Sequence, residues 1–146
     1  HSPLLVGVAP FILFMTAAAA QILTTTVSAR AQLTLSIVLA VLGLGVVGAG
    51  AALTSLALFL TGAGITGGGI GILFRNALTT AASAAMPERR GEALAAVFLI
   101  AYAGMTLPPL LAAAALSLWS PVAVLIGLSA LAGLLVVVSG ARMARR

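Results

Sequence analysis

The residues of this chain that could do chemistry are few, and the most conspicuous are glycines. The stretch Gly62 to Arg75, GAGITGGGIGILFR, opens with a G-x-G-x-x-G on Gly62, Gly64 and Gly67. In a nucleotide-binding enzyme that spacing lets backbone amides approach a pyrophosphate. It does so after a strand, ahead of a soluble helix and with an acid about 20 residues further on. Glu88 lies 21 residues beyond Gly67, but it follows a proline and adjoins Arg89 and Arg90. The pattern is also easily met in a chain with 16 glycines. No Lys is present to complete a Walker-type phosphate loop. There is no Cys, the single His is residue 1, and the only acids are Glu88 and Glu92. Nucleophilic or general acid–base catalysis needs a nucleophile and a base within reach of each other, and a metal site needs clustered donors. The sequence therefore predicts no catalytic residue, no metal, no cofactor and no enzymatic activity.

The elements that must position these glycines are apolar. Of 146 residues, 62% are hydrophobic and 6% charged, far below the roughly 25% of an average soluble domain. Ala31 to Phe74 and Ala93 to Ala141 carry no charge at all. Uncharged apolar runs of this length read as membrane spans. The expected architecture is an all-α, polytopic membrane bundle of five transmembrane helices, over about residues 3–27, 33–51, 55–86, 93–116 and 121–141, forming a single transmembrane region. Ser2-Pro3 is a suitable helix start. Pro10 and the pair Pro108-Pro109 are expected to disturb the helices that contain them. The net charge of +5 comes without a basic stripe or interleaved aromatics, so nucleic acid is not an expected partner; membrane lipid is.

The arginines set an orientation. Arg30 falls between the first two spans, Arg89 and Arg90 between the third and fourth, and Arg142, Arg145 and Arg146 after the fifth. The alternate ends, near residue 1, Thr54 and Trp119, carry none. The positive-inside rule puts the first residue outside and the last inside. Arg75 alone stands within a span, about 16 Å along the helix from Met86. It can act in a cavity, snorkel toward the headgroups, or pair with backbone carbonyls. Gly64, Gly68, Gly71 and Arg75 follow one another at spacings of four, three and four and share a helical face. Such a face admits a neighbouring backbone or leaves a cavity edge.

The stretch LFLTGAGITGGGIGILFRNALTTAASAAMPERRGEALAAVFLIAYAGMTLPPLLA resembles the C-terminal half of a bacterial major facilitator superfamily transporter. A glycine-rich helix, a PERRGE loop and the following ALAAVFLIAYAGMTLPPLLA carry the likeness. The resemblance implies a partial major-facilitator-like fold whose five spans correspond to helices eight to twelve. A missing N-terminal half would then be the partner, and the location a bacterial cytoplasmic (inner) membrane. It also implies that the first, third and fourth helices face a central cavity, with Gln21, Thr66, Arg75, Asn76, Tyr102 and Thr106 as lining or packing residues. Arg30, Glu88, Arg89, Arg90 and Glu92 would form a cytoplasmic gate or anchor. The loop TTTVSARAQ departs from the family, which often has a glycine, an acid and several basic residues there; only Arg30 remains. The function implied is alternating-access transport of an unknown small molecule. The acid-free spans favour lipophilic efflux over sugar uptake, since a sugar site needs several hydrogen-bonding groups. A small, non-transporting membrane subunit or scaffold stands as the alternative, because no intramembrane acid is present to couple an ion.

Overall fold

The computed structural model describes residues 3–144, with side chains described from Gly7 to Val138. The proposed Ser2 cap, Arg145 and Arg146 lie outside the described residues, as does the side chain of Arg142. Five helices follow one another: α1 (Pro3–Leu23), α2 (Ala29–Ala52), α3 (Leu56–Ala84), α4 (Arg90–Ala115) and α5 (Pro121–Ala144), with a 3-10 turn at Pro87–Arg89 before α4. Four are long and apolar enough to cross a membrane, and Gly7–Leu23 is a shorter apolar helix. Large apolar side chains stand open along the outside, Leu99 at 72% and Leu118 at 76% among them. Water does not tolerate a continuous surface of that kind. The chain is an all-helical bundle consistent with a multi-pass membrane protein.

Short polar caps set the helix starts. Ser28 Oγ accepts from the Ala31 amide at 3.4 Å, Ser55 Oγ from Leu58 at 3.4 Å and Ser120 Oγ from Ala123 at 3.3 Å, with Pro121 opening α5. α2 therefore starts at Ala29 rather than near Leu33: one arginine and one glutamine made the segment look like a loop, but the Ser28 cap draws them into the helix. α1 stops at Leu23 rather than near Val27, and side chains tie down the turn that follows. Thr24 Oγ1 donates to Ala20 O at 2.7 Å, and Gln32 Nε2 donates to Thr24 O and Val27 O at 2.6 and 2.9 Å. The α2 end closes through Thr54, whose φ of 50° lies in the left-handed region. There the Ser55 amide bonds Gly50 O at 2.8 Å and the Thr54 amide bonds Ala51 O at 3.3 Å. This is a Schellman closure with Thr where Gly usually stands. Pro108 and Pro109 do not end α4, which runs through both. Their disturbance is chemical, in the two amide donors they remove.

The core is α3. Its buried residues are Gly62, Ala63, Thr66, Gly67, Gly68, Gly69, Gly71 and Ile72. α1 runs parallel to it on one flank and α2 antiparallel on another, while α5 rests against α2. α4 touches α3 lightly and buries no residue.

Candidate functional site

The glycine string lies within α3, where helix backbones pack on it from two sides. A Cβ on Gly67 would strike Leu13 O and Thr16 Oγ1, and one on Gly71 would strike Ala17 O, with Ala17 Cα 2.6 Å away. These two glycines bring α1 into backbone contact. On the other flank a Cβ on Gly62 would lie 2.5 Å from the Val47 amide and 2.9 Å from Gly43 O. One on Gly69 would lie 2.6 Å from the Ala40 amide and 2.7 Å from Ser36 O. α2 answers with Gly43 against Thr66, and with Gly50, where an added Cβ would lie 2.5 Å from the Phe59 amide. Close approach of this kind is the ordinary use of small residues between helices in lipid.

The face expected from spacing, Gly64–Gly68–Gly71–Arg75, meets α1, but its members differ. Gly71 is a backbone contact, a Cβ on Gly64 would lie 3.3 Å from Ile12 Cγ2, and one on Gly68 would have only ordinary neighbours in Ala20 and Leu39, at 3.8 and 3.9 Å. Gly62, Gly67 and Gly69, absent from the expected site, make tighter contacts than Gly64 or Gly68. The signal for them was present: Gly62 and Gly69 are two helical turns apart, and Gly67 and Gly71 one.

Arg75 Nη1 donates to Gln21 O at 2.7 Å. Gln21 lies two residues before the end of α1, and the Thr25 amide that would serve its carbonyl in a longer helix bonds Ile22 O instead. The guanidinium thus caps an orphan carbonyl at the negative end of the helix dipole. Arg75 is level with the α1 terminus, and α3 continues about seven residues, or roughly 10 Å, beyond it. Gln21 enters this contact through its backbone.

Thr66 is buried against Gly43, and its Oγ1 has no hydrogen-bond partner among the described residues. Asn76 Nδ2 is likewise enclosed and unpartnered. Tyr102 and Thr106 are exposed on α4, and the Thr106 hydroxyl bonds Tyr102 O at 3.0 Å within its own helix. Phe74 of α3 meets Phe98 edge-on at 5.7 Å, and Phe98 lies 6.5 Å from Tyr102. This aromatic ladder joins α3 to α4, and neither phenylalanine was marked by the sequence. Neither was Gln32, which ties down the α1–α2 turn.

At the arginine-bearing end, Arg30, Glu88, Arg89, Arg90 and Glu92 are all exposed. Arg89 and Glu92 line an open depression of about 660 Å³ with Ala84, Ala85, Met86 and Ala93. Among the described residues no three metal-ligating side chains come together. No protein-family model, curated protein or solved structure matches the chain.

Proposed function

We propose that this chain is part of a secondary active transporter, equivalent to helices eight to twelve of a major-facilitator-like carrier, in the cytoplasmic membrane of a bacterium. In this reading it moves a small, lipophilic solute by alternating access and catalyses no chemical reaction. Its first residue lies outside and its last inside, and an N-terminal half completes the carrier. The observation that carries the reading is α4. It is apolar enough to span a membrane, yet buries nothing, and it holds Tyr102 and Thr106 uncovered near its middle. A helix so placed fits the wall of a cavity whose other side is supplied by further helices. In this scheme Arg89 and Arg90 hold the cytoplasmic rim.

The α3 glycines support a different role. Gly67 and Gly71 are filled by α1 and Arg75 is engaged as its cap, so this face acts as a fixed joint. That observation favours the second reading, a non-transporting membrane subunit, for α1–α3 taken alone. Thr106→Cys in this Cys-free chain separates the two. The transport reading expects modification by a small water-soluble thiol reagent from either side of the membrane, in proportions that shift with an imposed ion gradient. Labelling that is absent under every gradient sinks it in favour of the scaffold.

A further inference from the structure

The glycines of the bundle fall into two kinds. Gly62, Gly67, Gly69 and Gly71 of α3 are filled by neighbouring backbones, whereas an added Cβ on Gly45 or Gly48 of α2, or on Gly133 of α5, has nothing within 4 Å. Yet α2 and α5 pack on each other. Between them runs an open groove of about 640 Å³, lined by twelve residues of which Ser129 alone has a polar side chain. Small residues between helices in lipid ordinarily let the two backbones close. Here the helices meet without closing. A space of that size left empty would forfeit the dispersion contacts of its whole lining.

The dimensions of the groove select its occupant. It runs from Ala52, the last residue of α2, to Val41 at the middle of that helix, and from Ile126 to Val137 on α5. That is roughly 16 Å along each axis, about half of a 30 Å hydrocarbon core and therefore the depth of one leaflet. Spread over this length, the volume leaves a channel roughly 7 Å across, too narrow for a helix of about 10 Å with its side chains. A second copy docking through this face would need a lining of about 20–30 residues, not twelve. A single hydrocarbon chain, whose carbons pack at about 4 Å, fits. The Ala52 end of the groove lies at the side of the bundle marked by Thr54 and Trp119, where no arginine stands and an indole suits the headgroup level.

We propose that the α2–α5 groove holds one acyl chain of a phospholipid from the leaflet on the arginine-free side. The assignment needs the chain to span a membrane but not to transport, so the labelling of Thr106→Cys has no bearing on it. The test uses the complete protein in phosphatidylcholine vesicles containing a phosphatidylcholine with a diazirine on one acyl chain. One portion is exchanged into detergent before illumination, and adducts are mapped by peptide mass in both. In the bilayer, α2, α4 and α5 should all carry adducts. After exchange, adducts around Leu99 of α4, which is 72% exposed outside any groove, should be lost, and those on residues 41–52 and 126–137 should remain. Gly48→Leu and, separately, Gly133→Leu fill the groove and should each abolish the retained adducts. Gly104→Leu on α4, where an added Cβ also meets nothing, should leave them in place. Leucine is the better helix former, so the groove variants should unfold at or above the parent temperature, and a lost adduct is then not a lost fold. Equal loss from α4 and from the groove on exchange would make the lipid an ordinary surface one and overturn the proposal. Retained adducts in both groove variants, or a lower unfolding temperature in both, would also overturn it. So would a disulfide-linked dimer of Gly48→Cys in vesicles, which would put a second copy in the groove.

Discussion

Single atoms decide the packing of α3. A methyl group on Gly67 or Gly71 would collide with the α1 backbone, which cannot rotate away as a side chain can. Gly67→Ala and Gly71→Ala are expected to lower stability by at least about 1–3 kcal/mol, the range for overpacked cores. Gly68→Ala meets nothing closer than 3.8 Å and should be tolerated. Gly45→Ala and Gly48→Ala on α2 add a methyl into open space and should be neutral or stabilising, by up to about 1 kcal/mol of helix propensity. Thermal unfolding of the detergent-solubilised variants gives the order; equal loss at Gly68 and Gly71 would contradict it. Arg75→Ala removes the donor to Gln21 O and should destabilise by about 1–3 kcal/mol, while Arg75→Lys, which keeps the charge but not the fork, should recover part of it. If Arg75→Ala unfolds at the parent temperature, the cap contributes nothing. The sequence made the glycine-rich character of α3 legible but not which glycines matter. Four-residue spacing identifies a face, whereas the choice between Gly68 and Gly67 depends on where the α1 axis crosses α3, and that is a property of two helices together.

At the scale of elements, polarity misleads near helix ends. Arg30 and Gln32 look like loop residues, yet both lie in α2, and Gln32 is buried with its amide on two loop carbonyls. The existence of the helices was legible because the apolar runs are long. Their ends were not, because a buried Gln at the start of α2 becomes meaningful only once its carbonyl partners are in place. The α2–α3 turn offers a clean test. Thr54 holds a φ of 50°, which a β-branched residue adopts only with strain. Glycine takes that conformation freely, so Thr54→Gly should raise stability, by about 1 kcal/mol. A lower unfolding temperature in this variant would show that the Thr54 side chain contributes more than its backbone costs.

For the whole molecule, the asymmetry of burial and the asymmetry of charge are separate facts with one consequence. α3 is enclosed by α1 and α2, while α4 is left open along its length. Independently, Arg30, Arg89 and Arg90 sit at helix ends that alternate with uncharged ones, Thr54 and Trp119 among the latter. Successive antiparallel helices bring the charged ends to one side of the bundle, and positive charge is retained on the cytoplasmic side. Met86 and Leu118, 72% and 76% exposed, mark the two sides, and neither side chain makes a cap hydrogen bond or a glycine contact. With no native Cys to interfere, Leu118→Cys should react in intact cells with a membrane-impermeant thiol reagent. Met86→Cys should react only after the cells are opened. The reverse pattern would invert the topology and place the arginine-rich rim outside. Labelling of both residues in intact cells would mean that the chain does not separate two compartments at all, and the membrane-spanning bundle itself would have to be abandoned.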